Sequence, residues 1–422
     1  MVPGFLWHDI SYPPEQLMRA PFTVLFLAAL SAHAAALPGF RVQLLGPTSG
    51  FASSIAIDSR NTIYYTTTAG GVFRFSDGMS QLVTHVNTAA IGDSGLLGMA
   101  LRGDNTAIVH YTTPALTADV VSSIDLTTGA ETILHSFVCD KDVPQRPVPS
   151  EHHGGNPTVA ADGSIFVGIG DYGGWTIASL PDWNGGKIFR LNVDGSVVQF
   201  ALGFRNPFDM AWDAGNQRLI ASDNGELADD EINIVHLGDF CGWPYTMGSA
   251  PAIEGAVAPI YVFPNIVAPT GLIAVNGRNR YFQRGYLLGA FVTKAIYYVP
   301  DIDARPIPDP IPIIAGVTGS IIDVAQNVNG DVFFVTGNAI YQLIPPQRGD
   351  CNGDGRVDAA DVAALAQELL DGNPEPAISA QNGAFPGSWG CDVNGDGLID
   401  SRDMRALLSM FRSRAVRSTG GH

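Results

Sequence analysis

The feature that most constrains this chain is an internal repeat. A small–apolar–x–apolar opening, a polar turn and an alternating β-rich run occur six times. The copies are SSIAIDSRNTIYYTTT from Ser53, GMALRGDNTAIVHYTT from Gly98, PTVAADGSIFVGIGD from Pro157, FDMAWDAGNQRLIASD from Phe208, GLIAVNGRNRYFQRGYLLGAF from Gly271 and IDVAQNVNGDVFFVTG from Ile322. Each reads as two strands joined by an Asp/Asn/Gly turn, usually followed by a third strand such as KIFRLNV or INIVHL. No single unit can bury both faces of its own sheet, so the units must pack side by side and close into a ring. The sequence therefore predicts an all-β fold, a six-bladed β-propeller over residues 40–346. The segment near Arg41 to Leu45 is left over at the start and is the natural strand to complete the last blade. No long amphipathic helix lies between the strands, which excludes a parallel α/β fold.

With 422 residues the chain has room for a second domain. Charged residues make up only 15%, against 48 Gly and 28 Pro, a balance suited to an exported β-rich protein with many short loops. The net charge of −18 excludes nucleic acid as a partner, because phosphate binding needs a basic face. Residues 1–36 read as a signal peptide: Met18-Arg19 is a short basic region, Phe22 to Leu30 an apolar core, and Ala32-His33-Ala34 a cleavage site. Met18 is a candidate initiator, and the mature chain is expected to begin between Leu37 and Gly39. Secretion or periplasmic location follows, with no transmembrane anchor in the mature chain. Cys139, Cys241, Cys351 and Cys391 are read as two disulfides, one of them Cys351–Cys391.

Propellers host many activities, so function has to be read from motifs. Gly95-Leu96-Leu97-Gly98-Met99-Ala100 comes first. His152-His153-Gly154-Gly155 follows, leading through a strand pair to Gly170-Asp171-Tyr172-Gly173. Next are Gly186-Lys187-Ile188-Phe189-Arg190 and Gly203-Phe204-Arg205-Asn206-Pro207. Ser222-Asp223-Asn224-Gly225, Asp230-Glu231-Ile232-Asn233 and Gly242-Trp243-Pro244 complete the series. In order and spacing this series resembles the quinone-dependent soluble glucose and aldose sugar dehydrogenases, over roughly residues 50–345.

The resemblance implies a small-molecule sugar substrate, with pyrroloquinoline quinone and calcium as cofactors. His152 falls on the base, a role suited to imidazole because its pKa lies near working pH. Asp171 falls on the carboxylate that orients it, and Arg205 on the cation that stabilises the oxyanion of the reduced quinone. Asn206 falls on a cofactor-contacting amide, and the carbonyls of Gly225 and Glu226 on the calcium ligands. Lys294 is the nearest counterpart of the family's fifth-blade lysine. His153 reads as a turn residue, Asp230-Glu231 as structural and Trp243 as core. There are departures. Asn156 stands where the family has arginine, and Ser320-Ile321-Ile322-Asp323-Val324 replaces an R-x-R-D-V run that grips the quinone's carboxylates. Each charge-assisted hydrogen bond missing from that grip costs roughly 1.5–3 kcal/mol. Two functions therefore stand side by side: a sugar dehydrogenase, and a non-catalytic propeller that binds carbohydrate or protein. A calcium-dependent lactonase lacks a clear set of side-chain ligands in the channel.

After Pro345-Pro346-Gln347-Arg348, residues 349–414 hold two acidic twelve-residue loops. The first offers Asp350, Asn352, Asp354, the Arg356 carbonyl, Asp358 and Asp361. The second offers Asp392, Asn394, Asp396, the Leu398 carbonyl, Asp400 and Asp403. Those are positions 1, 3, 5, 7, 9 and 12 of an EF-hand calcium loop, with Gly355 and Gly397 at the sharp turn. Helices are predicted over Val362 to Leu370 and Met404 to Phe411. The pair resembles a type I dockerin module, which implies a cohesin-like or cell-surface partner. Ala359-Ala360 and Ser401-Arg402 occupy the positions dockerins use for partner choice.

Overall fold

A computed structural model describes residues 39–139, 151–371 (except 214, 227, 249, 251 and 252), 375–376, 389–396 and 398–419. The proposed signal peptide lies outside the described residues. Six antiparallel sheets follow one another along the chain, each of four strands except the third, which has five. Blade 1 runs from Ala52–Ile57 through Ile63–Thr67 and Gly71–Ser76 to Met79–His85, and blade 2 spans Leu96–Leu101 to Glu131–Val138. Blade 3 contains Thr158–Val159, Ile165–Ile169, Lys187–Leu191 and Val197–Leu202, with Asp239–Phe240 added in parallel at its outer edge. Blade 4 spans Pro207–Asp213 to Tyr261–Val262, and blade 5 Pro269–Ala274 to Ile311–Ile314. Blade 6 consists of Ile321–Gln326, Val332–Thr336 and Ala339–Ile344, completed by Arg41–Pro47 from the start of the chain. That last pairing ties the two ends of the ring together, as the unpaired N-terminal segment predicted.

The second strand of each blade explains why the repeat reads as it does. Successive side chains on a strand point to opposite faces. Tyr64 joins the hydrophobic cluster shared with blade 2, and Tyr65 the cluster shared with blade 6. Phe166 and Val167 divide likewise between blades 4 and 2, and Phe334 and Val335 between blades 5 and 1. Both faces of these strands are buried, so they are continuous apolar runs rather than alternating ones. Six such clusters, one between each pair of neighbouring blades, hold the ring.

Around the axis the innermost strands are linked by polar contacts. Five of them carry a register shift at equivalent points: beside Ser54, Gly98, Asp209, Gly271 and Asp323. Asp323 accepts hydrogen bonds from Ser54 Oγ (2.7 Å) and the Ile55 amide (2.8 Å). Asp209 accepts from Asn156 Nδ2 (3.0 Å) and the Leu272 amide (2.7 Å). Gly98 and Gly271 make room: a Cβ on either would fall 2.2 Å from Asn156 Oδ1 or 2.7 Å from Asp323 Oδ1. Two buried acids, Asp209 and Asp323, thus face each other with the Asn156 amide beside them.

The C-terminal module has its own core of Cys351, Leu365, Cys391, Val393, Ile399 and Leu407. Its helices α1 (Ala359–Glu368) and α2 (Ser401–Thr419) begin earlier than the apolar pattern predicts. For α1 the reason is local: Asp358 and Asp361 form a capping box, which starts the helix inside the acidic loop. The module rests on blade 5. Tyr281 Oη donates to the Pro346 carbonyl (2.9 Å), the Arg280 guanidinium to the Asp392 carbonyl, and Arg348 Nε to that of Val393. No disulfide is formed, contrary to the sequence expectation: all four cysteines are thiols. Cys139 and Cys241 lie in the cores on opposite faces of blade 3. Cys351 and Cys391 are neighbours, the Cys391 thiol lying 3.7 Å from the Cys351 carbonyl, with its pKa driven upward by the hydrogen bond to Cys351 and by burial. Among the described residues no helix is long and apolar enough to cross a membrane.

Candidate active site

Loops that precede the first strand of a blade and loops that join its second and third strands emerge at the same end of an antiparallel sheet. His152 and Arg205-Asn206 belong to the first kind, in blades 3 and 4; Asp171 and Asn224-Gly225-Glu226 belong to the second. The structure brings them together. His152 Nδ1 lies 2.6 Å from Asp171 Oδ1, the imidazole being 15% exposed and the carboxylate 2%. Asp171 Oδ1 also accepts from the Gly173 amide (2.9 Å), and its Oδ2 from the indole Nε1 of Trp243 (2.8 Å). The Asp171 amide donates to the Arg205 carbonyl at 2.8 Å, locking the third and fourth blades at this point.

The Arg205 guanidinium donates to the Asn224 carbonyl (3.1 Å) and lies 6.0 Å from the Trp243 ring. Its backbone is fixed from below, because Asp223 accepts the amides of Arg205 (3.0 Å) and Asn206 (2.6 Å). Asn206 Oδ1 in turn accepts the Gly154 amide at 3.0 Å. Burial and the nearby Glu231 carboxylate push Asp223 well above the usual range, and burial pushes Glu231 up as well. Asp230 accepts the amides of Gly225, Val267 and Ala268, so the 225–230 loop is stapled to blade 5.

Sequence reasoning assigned Trp243 to the core, and this is corrected: it is half-buried, with its indole directed at Asp171. Asn224, which its motif alone gives no role, holds Arg205 through its carbonyl, and its buried Oδ1 has no hydrogen-bond partner. Lys187 was read only as part of a strand, yet its wholly buried ammonium donates to the carbonyls of Ile177 (2.8 Å), Ala178 (3.1 Å) and Gly185 (2.7 Å). It thereby closes the loop that carries Asp171. Lys294 is exposed at the turn between the second and third strands of blade 5, with φ of 52°, at the same end as the site. Gly225 is buried and Glu226 exposed in the loop beside Asn224.

In the module, the closing acids organise their loops through backbone amides. Asp361 accepts those of Cys351 (2.8 Å), Asn352 (3.2 Å) and Asp358 (2.7 Å); Asp403 accepts those of Asn394 (2.9 Å) and Asp400 (2.9 Å). Asp350 and Asp403 are pushed upward, by burial first and then by neighbouring carboxylates. Ala359, Ala360, Ser401 and Arg402 are all exposed.

The chain is 29% identical over 209 residues to quinoprotein glucose dehydrogenase B of Acinetobacter calcoaceticus, covering 39% of this chain and 43% of that protein. It is 27% identical over 239 residues to an uncharacterised protein of Synechocystis, covering 48% of this chain and 58% of that one. The matches thus span about half the length of these relatives. The PQQ-bound aldose sugar dehydrogenase of Streptomyces coelicolor shares the fold with a TM-score of 0.62 at 20% identity, over 73% of this chain and 99% of that one. The apo aldose sugar dehydrogenase of Escherichia coli gives a TM-score of 0.63 at 18% identity, over 72% and 99%. A dockerin type I model matches residues 348–411, and the glucose/sorbosone dehydrogenase model matches residues 52–344. More than half of the chain, including all of the blades except the strand Arg41–Pro47, is covered by the second of these; the chain belongs to the glucose/sorbosone dehydrogenase family.

Proposed function

We propose that the protein is an exported aldose dehydrogenase in which His152 removes the proton of a sugar hydroxyl. The observation that carries this reading is the His152–Asp171 hydrogen bond of 2.6 Å. A carboxylate on Nδ1 holds the imidazole as the tautomer whose free lone pair is on Nε2. Both Asp171 oxygens are held, by Gly173 and Trp243, so the ring is fixed in orientation as well as in tautomer. Arg205 stands beside the pair, oriented by the Asn224 carbonyl, where it offers a fixed positive charge to a developing oxyanion.

Pyrroloquinoline quinone, when bound, supplies the acceptor for the hydride that leaves the same carbon. Arg205, Asn206 and Lys294 are the residues that would contact it. The unpartnered, buried Asn224 Oδ1 and the carbonyls of Gly225 and Glu226 form a set of hard oxygen donors suited to calcium. Calcium is likewise the ion proposed for Asp350, Asn352, Asp354, Arg356, Asp358 and Asp361, and for Asp392, Asn394, Asp396, Leu398, Asp400 and Asp403. The exposed helix starts at Ala359-Ala360 and Ser401-Arg402 would meet a cohesin-like partner.

Purified full-length protein, given the quinone and calcium, is expected to show the reduced-cofactor spectrum on adding aldoses, and His152→Ala to abolish it. An unchanged rate in His152→Ala would refute the base assignment. A second reading rests on Ser320 and Ile322, which replace the cations that grip the quinone in the resembling family. Failure of the quinone to bind at micromolar concentration would favour the non-catalytic propeller, which binds carbohydrate or protein.

A further inference from the structure

Behind the His152–Asp171 pair lies a buried polar cluster that the proposed chemistry does not use. The two site residues alternate with two inward ones. His153, next to His152, and Tyr172, next to Asp171, are both 0% exposed. Both converge on one carboxylate, Asp119, in the third strand of blade 2, Ala118–Asp125. His153 Nδ1 lies 2.9 and 3.1 Å from its two oxygens, and Tyr172 Oη donates to Oδ2 at 2.9 Å. Thr112 Oγ1 donates to Oδ1 at 2.8 Å, and the rings of His153 and Tyr172 meet edge to face, 5.2 Å between centroids.

The backbone around these anchors is held in a costly form. His152 has φ of 52° and Tyr172 of 54°, left-handed values that non-glycine residues keep only when their surroundings over-determine them. The Tyr172 amide also donates to the His152 carbonyl at 3.3 Å. Two strained turns, one bearing the base and one bearing its carboxylate, are therefore tied to each other and to the same acid.

We infer that Asp119, acting through His153 and Tyr172, is the positioning residue that sets the His152–Asp171 geometry. The inference rests on the proposed role of His152 as base. Complete burial pushes Asp119 upward, but the charge and hydrogen bond of His153, with His110 and Thr112, pull it below the usual carboxylate range, so it stays ionised. An ionised carboxylate accepts about four hydrogen bonds, and here Thr112, His153, Tyr172 and the Cys139 thiol supply them. Cys139 Sγ lies 3.8 Å from Asp119 Oδ2, and the ligand atoms of Asp119, Cys139 and His153 are within 4.8 Å of one another. Saturation of the carboxylate by protein donors favours an organising hydrogen-bond node over a metal centre.

The test uses full-length protein with quinone and calcium, an aldose and a dye acceptor. Misplacement of a reacting group by about 1 Å costs up to about a hundredfold in rate. Asp119→Asn is expected to lower kcat by roughly ten- to a hundredfold with KM nearly unchanged. Tyr172→Phe keeps the ring and removes one donor, and its kcat should fall by a smaller factor; it decides the matter if Asp119→Asn does not fold. His153→Asn, whose amide nitrogen can take the place of Nδ1, should keep most of kcat, whereas His153→Leu should lose it. A second readout needs no turnover: the low-field imidazole N–H resonance of His152, identified by its absence in His152→Ala, should broaden or vanish in Asp119→Asn. Persistence of that resonance together with an unchanged kcat in both Asp119→Asn and Tyr172→Phe would overturn the inference. So would one equivalent of zinc in the purified protein that is lost in Cys139→Ser. An inactive wild type whose resonance still responds to Asp119→Asn would refute the dehydrogenase reading and leave the positioning intact.

Discussion

Replacing Asp323 by asparagine probes the two acids that face each other at the propeller axis. Burial pushes Asp323 up to about 7, and burial together with Asp323 pushes Asp209 well above the usual range. In the unfolded chain an aspartate titrates near 3.9. Between about pH 4 and 7 the folded protein thus keeps a proton that the unfolded chain has released. The native state binds more protons there, so stability falls as pH rises through that window and levels off above it. Each unit is worth about 1.36 kcal/mol, so a shift of about three units amounts to about 4 kcal/mol. Asparagine is neutral throughout and removes this slope. It also gives up one of the oxygens that accept from Ser54, Ile55 and Val324, a pH-independent loss of about 1–3 kcal/mol. The variant should therefore gain on wild type by about 1.36 kcal/mol per pH unit from pH 5 to about 7, and keep that gain at pH 8. Urea unfolding followed by tryptophan fluorescence, at saturating calcium, reads the difference; Trp212, stacked on Phe166 at 5.0 Å, reports on the blade core. The acids of the C-terminal loops titrate alike in both proteins and cancel. Parallel stability curves for the two proteins from pH 5 to 8 would refute the reasoning.

Three further outcomes are expected. Lys187→Met takes a donor from three buried carbonyls, of which those of Ile177 and Ala178 keep a backbone donor, and should destabilise the propeller by about 1–3 kcal/mol in denaturant titrations. Arg402 grips Asp396 at 2.8 Å and Asp400 at 2.6 Å, two of the ligands proposed for the second loop; Arg402→Ala should therefore bind calcium more tightly there by calorimetry, and weaker binding would count against it. Asp361→Ala with Asp403→Ala removes the acids that gather the loop amides, and should abolish the gain in helical circular dichroism on adding calcium to chelator-treated protein.

Much of the fold was legible because a repeated unit is a repeated burial problem. Runs such as IYYTT, IFVGI and VFFVT are apolar on both faces because each second strand feeds two inter-blade cores, and six of them can be satisfied only by a closed ring. The leftover strand at Arg41–Pro47 and the two acidic loops were readable for the same kind of reason: local spacing dictates local geometry. Helix α1 was misplaced at its start because its capping box, Asp358 with Asp361, lies within residues read as ligands.

What the sequence by itself determined was the set of elements and the loops in which His152, Asp171, Arg205 and Asn206 reside. Only the tertiary structure decided which side chains meet. Trp243 looked like core until its indole was found on Asp171, 72 positions away in sequence. Asp119, alternating with apolar neighbours in ADVVSSID, gives no sign that it holds His153 and Tyr172. Nor does an isolated cysteine announce its state, and the expected Cys351–Cys391 bridge is a pair of thiols. The physical reason is common to all three. Periodicity records which face of a strand is buried, whereas a hydrogen-bond partner is fixed by how separate blades pack, and no short stretch of sequence encodes that.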